Sequence, residues 1–327
     1  MSKRILRQWC SVFLALALLP VAPLAWAQKF PGNTPITLVV PYPPGGLSDF
    51  FARVLAPKLS GSLGVSVVVD NRPGANGSIG TASVARARPD GHTLSLVPAS
   101  TVTTNQWIMK DMPFDPIRDL TPLALTLIVP NVLVVHPGVP ANSVGELLDL
   151  IRSKPGDINF ASVGVGSSGH LQAEMLMSMA KLKIVHVAYK GSGPALQDLA
   201  AGQVQMMFDN LPGAAPMIQS KQLRALAVTS AKPSPLLPDL PPLGQFLPGF
   251  ESTPWFGIVG PAGIPQEIVT QLNDHIVRAV NSPEVVSAME ARGGEVVTSS
   301  ADEFAKLMKN ESERMRDLVK AANILPQ

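Results

Sequence analysis

The chain has 327 residues, with 26 Lys and Arg against 24 Asp and Glu, so its formal net charge is +2. A near-neutral chain without a cluster of basic residues is not expected to bind nucleic acid or an anionic membrane surface. Its length suits two domains of ordinary size.

The first 27 residues have the pattern of an export signal. Three basic residues precede an apolar segment at 12–19, and Ala25-Trp26-Ala27 is a small-x-small cleavage site. The apolar segment is shorter than the roughly 20 residues that a membrane span needs. We therefore expect a signal peptide at 1–27, and an exported mature chain of net charge −1 whose sequence has no cysteine, since Cys10 lies in the signal.

Short apolar segments alternate with helix-like segments from residue 36 onward. The expected strands of the first part are 36–40, 65–69 and 93–97, and the expected helices are 47–59 and 78–87. This alternation is typical of βαβ units and predicts a mostly parallel sheet.

The same alternation begins again after Pro116. The expected strands are 127–135, 158–163, 184–189, 203–209 and 223–229, and the expected helices are 144–152, 171–181 and 194–200. A proline-rich link at 232–248 then indicates a return crossing between domains. The C-terminal region is helical, and its last helix begins at Ser300, which forms a capping-box pattern with Glu303.

One strand-to-helix turn carries a nucleotide-binding pattern. Gly164, Gly166 and Gly169 spell G-x-G-x-x-G. A dinucleotide site also needs an acidic residue about 20 residues later, at the end of the next strand, and 186–191 contains none. We therefore expect no cofactor. The turn and the helix after it can instead present backbone amides to a carboxylate, or the glycines serve only a tight turn.

A second glycine turn, at 40–51, has the same design. Tyr42 can supply a hydroxyl or a stacking ring there, and Gly45-Gly46 can expose amides. One helix N-terminus contributes up to about 2 kcal/mol to anion binding. Micromolar affinity needs about 8 kcal/mol, so donors from two turns on different domains would have to converge across a cleft.

Other chemistry is less well supported by the pattern. Ser167 or Ser168 could be the nucleophile of an exported α/β hydrolase, but the G-x-S-x-G motif is absent. The five histidines are scattered without a zinc-binding spacing, so no metal is expected. His170 could donate to an anion or be structural. Three methionines, at 175, 177 and 179, are interpreted as core or flanking residues.

Two acidic residues remain open to two interpretations. Asp49, after the Gly-Gly turn, could bind an amino group or cap its helix. Asp209 ends an expected strand that faces the cleft, where a contact with a ligand amine and a hydrogen bond to a loop are both compatible with the sequence.

Several motifs together resemble one receptor family. They lie at 39–49, 69–77, 85–94, 164–170, 187–195 and 255–265. Their combination closely resembles the substrate-binding receptors of tripartite tricarboxylate transporters, often called the Bug family. The resemblance covers essentially the whole mature chain. One departure is Arg314-Met315-Arg316, where the family commonly has a tryptophan.

The resemblance implies a periplasmic, non-enzymatic receptor of the α/β class. Its fold would be a periplasmic-binding-protein type II-like Venus flytrap, with 28–127 plus 252–327 as one domain and 128–251 as the other. It would bind a small carboxylate, namely a di- or tricarboxylate, an aromatic acid or an acidic amino acid, and present it as a monomer to a membrane permease. The alternatives are the exported hydrolase and a receptor for a regulatory membrane protein.

The resemblance also implies a set of ligand-binding residues on both sides of the cleft. The first domain would contribute Tyr42, Pro43, Gly45, Gly46, Leu47, Ser48, Asp49, Asn76, Gly77 and Ser100. The second would contribute Ser162, Val163, Val165, Gly166, Ser167, Ser168, His170, Tyr189, Lys190, Gly191 and Asp209.

Overall fold

The computed structural model describes residues 30–321, so the predicted signal peptide lies outside the described residues. In chain order the strands and α-helices are β1 (Ile36–Val40), α1 (Leu47–Leu63), β2 (Val67–Asn71), α2 (Ser78–Ala85), β3 (Thr93–Pro98), α3 (Ala99–Thr103), α4 (Asn105–Ile108), β4 (Leu120–Ile128), β5 (Asn131–Val135), α5 (Val144–Ser153), β6 (Asn159–Ser162), α6 (Ser168–Ala180), β7 (Val185–Ala188), α7 (Ser192–Ala200), β8 (Met206–Asn210), α8 (Leu211–Gln219), β9 (Arg224–Val228), β10 (Trp255–Pro261), α9 (Gln266–Val280), α10 (Pro283–Glu290), β11 (Glu295–Val296) and α11 (Ala301–Ala321).

The strands form two sheets. The first has six strands in the order β11-β4-β10-β3-β1-β2, and the second has five in the order β7-β6-β8-β5-β9. We refer to these sheets, with the helices packed on them, as the six-stranded unit and the five-stranded unit. The prediction of an α/β fold is confirmed.

The prediction of a mostly parallel sheet is wrong, because both sheets are mixed. In the six-stranded sheet β1 is parallel to β2 and β3, but β10 is antiparallel to β3 and β4. In the five-stranded sheet β6 is parallel to β7 and β8, but β5 is antiparallel to β8 and β9. Parallel neighbours need a helical crossover. Strand β5 is reached from the other sheet across residues 129–130 and β10 across residues 229–254, so neither follows its neighbour through a βαβ crossover.

The expected strand at 127–135 is two strands in different sheets. Val129 and Pro130 separate β4 from β5, and Pro130 has no N–H with which to continue a ladder. The Val129 N–H donates to the carbonyl oxygen of Pro254, at 2.9 Å. The outgoing crossing at 129–130 therefore lies beside the returning crossing at 254.

Each unit has its own apolar core. In the six-stranded unit Phe51 and Leu55 of α1 and Leu272 of α9 are fully buried. In the five-stranded unit Phe160 of β6 and Leu176 of α6 are fully buried. These cores fix α1 and α6 against their sheets, so the N-terminal ends of both helices are held in place.

Helix boundaries follow local signals where these exist. The capping box before α11 is confirmed, because the Glu303 N–H donates to Ser300 Oγ at 3.2 Å and the Ser300 N–H donates to Glu303 Oε2 at 2.9 Å. Helices α3, α4, α8 and α10 were not predicted, because they are short or contain proline. Within residues 30–321 no helix is long and apolar enough to cross a membrane.

Candidate functional site

A cavity lies between the two units and is lined by both. Of the residues expected to bind a ligand, Tyr42, Pro43, Gly46, Leu47, Ser48, Ser100, Val163, Ser167, Ser168, Gly191 and Asp209 line it. We call it the central cavity. An adjoining cavity shares Tyr42, Pro43 and Val163 with it and is also lined by Asn76, Gly77, Val165, Tyr189 and Lys190.

The first turns of three helices face the central cavity. Leu47 and Ser48 begin α1, Ser168 begins α6, and Ser192 and Gly193 begin α7. Backbone N–H groups in a first turn have no partner within the helix, and the helix dipole adds partial positive charge there. Three such termini around one cavity make a site for an anion such as a carboxylate.

Glycines allow the two units to approach closely beside this site. A Cβ on Gly191, whose φ is +143°, would lie 2.7 Å from Cγ of Pro43 in the other unit. A Cβ on Gly46 would lie 3.8 Å from Cβ of Ser192. The starts of α1 and α7 therefore lie close together at the cavity. A side chain at Gly191 would prevent this close approach.

The start of α6 is formed by a serine cap. The Ser167 Oγ accepts a hydrogen bond from the His170 N–H, at 3.3 Å, and the extended backbone of Ser167 ends the preceding glycine turn. This cap engages the His170 amide and leaves the first turn at Ser168 open to the cavity.

Tyr42 forms a neutral wall between the two cavities. Its hydroxyl donates to Asn76 Oδ1 at 2.7 Å, and the Asn76 side-chain amide donates to Asn105 Oδ1 at 2.8 Å. Burial raises the pKa of Tyr42 to about 12, so the hydroxyl keeps its proton. Because the hydroxyl donates that proton to Asn76, the oxygen of Tyr42 can take part in a further hydrogen bond only as the acceptor.

Asp209 lies in the wall of the central cavity with 4% of its surface exposed. Its Oδ2 accepts a hydrogen bond from the Ser192 hydroxyl, and burial raises the pKa of Asp209 to about 6. This bond joins Asp209 to the first residue of α7 and not to a loop, and the contact with a ligand amine stays a prediction. Ser192 was not among the predicted residues, although the signal Gly191-Ser192-Gly193-Pro194 marks a helix start.

Helix α11 also contributes to the cavity wall, through Glu311, Arg314 and Met315. Arg314 Nε and Nη2 donate to the Glu311 carboxylate at 3.0 and 2.6 Å. The sequence singles out Arg314-Met315-Arg316 only as a departure from the tryptophan common in the family. Its place in the cavity could not be predicted, because it depends on how α11 packs across the six-stranded unit.

Gly45 of the first glycine turn and Asp49 behind it do not line either cavity. The Asp49 carboxylate accepts hydrogen bonds from the Gly45 N–H at 3.1 Å, from Arg53 Nε at 2.9 and 3.0 Å and from Asn71 Nδ2 at 3.0 Å. Burial acts to raise the pKa of Asp49, but these hydrogen bonds outweigh it and the pKa is lowered. Asp49 is therefore an ionised residue that fixes the turn.

Ser162, Gly166 and His170 lie in or beside the second glycine turn and do not line either cavity. The Gly166 N–H donates to His170 Nδ1 at 3.1 Å, so this nitrogen carries no proton. Ser162 Oγ is hydrogen-bonded to His186 Nε2 at 2.6 Å, and the rings of His170 and His186 stack with centroids 4.2 Å apart. Burial lowers the pKa of His186 to about 4. The imidazole pair therefore supports the turn from within the unit.

The hydrolase interpretation needs a base beside a serine. Ser168 Oγ accepts from Asn131 Nδ2 at 3.3 Å, and Ser167 Oγ is used by the helix cap. In the described part of the chain neither hydroxyl is hydrogen-bonded to an imidazole.

No three His, Cys, Asp or Glu side chains of residues 30–321 are grouped so that they could hold a metal ion.

The chain matches known proteins over most of its length. The pattern of the family described as "Tripartite tricarboxylate transporter family receptor" matches residues 51–324. The "UPF0065 protein in tcbD-tcbE intergenic region" of Pseudomonas sp. (strain P51) is 40% identical over 294 residues, which are 89% of this chain and 87% of that protein.

Two solved structures have the same fold. The structure titled "R. palustris Rpa4515 with adipate" has a TM-score of 0.88 at 36% identity and covers 91% of this chain and 100% of its own. The structure of the periplasmic binding protein BugD has a TM-score of 0.86 at 32% identity and covers 90% of this chain and 99% of its own. The predicted two-domain fold of periplasmic binding proteins is confirmed.

Proposed function

Because the chain belongs to the tripartite tricarboxylate transporter receptor family, we propose that it captures a small carboxylate in its central cavity and presents it to a membrane permease of that transporter type. The resemblance to the Bug receptors is confirmed. The receptors of this family are periplasmic substrate-binding proteins, and the prediction that the chain is not an enzyme is confirmed.

The observation that carries the proposal is the convergence of three helix N-termini at one cavity. Each terminus in a partly buried setting contributes up to about 2 kcal/mol, so three contribute up to about 6 kcal/mol. Micromolar affinity needs about 8 kcal/mol. The hydroxyls of Ser48 and Ser168 line the same cavity and can supply the remainder.

The predicted contact residues divide into two groups in this proposal. Those that line the two cavities would touch the ligand or the waters around it. Gly45, Asp49, Ser162, Gly166 and His170 would instead hold the two glycine turns in shape, since the Gly45 and Gly166 amides are already bonded to Asp49 and His170. The ligand would close the two units on each other by bonding to both.

The remaining features of the proposal concern the setting of the protein. Residues 1–27 would direct export and be removed, leaving a periplasmic monomer. The domain boundaries would lie at 127/128 and 251/252, and the crossings at 129–130 and 254 would form the hinge. The permease would recognise the closed form.

A thermal-shift screen of mono-, di- and tricarboxylates, aromatic acids and acidic amino acids tests the function, with product analysis of every compound that stabilises the protein. Saturable stabilisation without turnover is the expected result. The Ser168→Ala variant should still bind, because its backbone amide remains. Consumption of a ligand that stops in Ser168→Ala would contradict the receptor function and favour the hydrolase.

A further inference from the structure

Part of the lining of the central cavity is apolar. Ser168, Leu171 and Met175 lie on one face of α6 and all line the cavity. At 1.5 Å per residue, Met175 lies about 10 Å along the helix axis from Ser168. The cavity therefore extends along α6 from its first turn to the Met175 side chain.

Two apolar residues from the six-stranded unit line the same cavity. Phe256 of β10 is 2% exposed and Met315 of α11 is 8% exposed, and both line the cavity. We call Leu171, Met175, Phe256 and Met315 the distal wall. Methionine side chains are unbranched and adapt to the shape of an apolar group. The distal wall thus offers hydrophobic contact to whatever part of a ligand lies beyond its carboxylate.

The charges around the cavity do not favour a second carboxylate. In the described part of the chain the charged residues that line it are Asp209, Glu251, Glu311 and Arg314. Arg314 is paired with Glu311 by two hydrogen bonds, so its positive charge is already balanced. Asp209 lies at the start of α7, where the first carboxylate would be held, so a second carboxylate at the far end of a ligand would meet Glu251 and the Glu311–Arg314 pair, with no unpaired cation among the described lining residues.

We propose that the distal wall makes this protein selective for monocarboxylates with an apolar body, such as a benzene ring or a six-carbon chain, over dicarboxylates of the same length. The inference rests on the proposed function, in which the first turns of α1, α6 and α7 hold one carboxylate. The rest of the ligand then lies against Leu171, Met175, Phe256 and Met315.

Isothermal titration calorimetry with acids of equal length tests the selectivity. Hexanoate, adipate and 6-aminohexanoate all have six carbons and differ only at carbon 6, which is a methyl group, a carboxylate or a CH2 that carries an ammonium group. Hexanoate should bind roughly tenfold or more tightly than adipate, and benzoate should bind as well. Adipate equal to or tighter than hexanoate would overturn the selectivity but leave the receptor function standing. Tightest binding of 6-aminohexanoate would also overturn it, and a protein that binds no acid would contradict both.

A charged residue in the distal wall should reverse the preference. Met175→Lys places an ammonium group in the wall, so hexanoate should lose roughly tenfold in affinity and adipate should gain by a similar factor. Met177→Lys is the matched control, because Met177 is also half-buried on α6 but does not line the cavity. An unchanged ratio of hexanoate to adipate affinity in Met175→Lys would refute the proposal.

A second variant, Glu251→Gln, tests the proposal even if Met175→Lys does not fold. Glu251 is exposed at the edge of the cavity, so Glu251→Gln removes one negative charge without disturbing a core. It should strengthen adipate binding and leave hexanoate binding as it was. If Met175→Lys does not fold, as judged by circular dichroism, an unchanged adipate affinity in Glu251→Gln overturns the proposal.

Discussion

A methyl group at Gly166 should weaken ligand binding by blocking approach of the two units. Gly166 has a φ of +79°, and a Cβ there would lie 1.8 Å from Cδ1 of Ile108, which belongs to the six-stranded unit. Ile108 is 1% exposed and has little room to move. Gly166→Ala therefore introduces a clash between the units that exists only when they are close together.

The expected magnitude has two parts. The left-handed backbone conformation costs a non-glycine residue about 1–2 kcal/mol in every state of the protein. Overpacking against Ile108 costs about 1–3 kcal/mol in the closed state alone. Only the second part affects binding, and it corresponds to a roughly 5- to 150-fold weaker affinity.

Calorimetry with the best carboxylate of the screen separates these parts. Gly156→Ala is the matched control, since Gly156 has a φ of +86° and nothing within 4 Å of the added Cβ. It should lower the melting temperature while leaving affinity unchanged. Ile108→Val removes the Cδ1 atom at a cost of about 0.5–1.5 kcal/mol and should restore binding to Gly166→Ala. Equal affinities in the two alanine variants, or no rescue by Ile108→Val, would refute the steric argument.

Further outcomes follow from single residues. Protonation of His186 should lower the free energy of unfolding by about 1 kcal/mol between pH 7 and pH 5, because its pKa is about 4 in the folded protein and about 6.5 in the unfolded chain. This energy is about half of what the two pKa values give by linkage, since the ring is partly exposed and solvent screens its charge. Urea unfolding of His186→Gln should show a free energy of unfolding that changes less with pH. An equal change in the variant would mean that other groups cause the pH dependence. Carboxylate affinity should be several-fold higher at pH 5 than at pH 8, because a protonated Asp209, with a pKa of about 6, no longer repels the ligand. Calorimetry of Asp209→Asn should show no such pH dependence. Ser143→Ala removes the cap that accepts the Glu146 N–H and should cost about 0.5–2 kcal/mol of stability without changing affinity, as denaturant titration and calorimetry would show.

Most of the site could be predicted from local sequence signals. The glycine turns at 45–46 and 164–169 predict strand-to-helix turns, and the structure places the start of a helix after each of them at one cavity. Ser192 lies after a third such turn, at Gly191. These features depend on a few adjacent residues, so they can be inferred without knowledge of the packing.

The rest depends on contacts between distant segments. The sequence does not reveal that Gly45 and Gly166 give their amides to Asp49 and His170, because helix geometry and side-chain rotamers decide these bonds. Nor does it predict that Met175 and Met315 line one cavity, since α6 and α11 belong to different units. The sequence does not predict the mixed sheets for the same reason. The direction of a strand depends on how the chain crosses between the two units, and the residue pattern of a strand is the same in either direction.

The position of β10 also determines the order in which the protein can fold. β10 lies between β3 and β4 in the six-stranded sheet, yet its residues follow the whole five-stranded unit along the chain. Until β10 pairs, β3 and β4 have no hydrogen-bonding partner between them, and closing that sheet requires contacts across a long sequence separation, which slows folding. The five-stranded unit can form during this interval from its own contiguous segment. A chaperone that protects the emerging chain would therefore have to cover the open edges of β3 and β4 until β10 arrives.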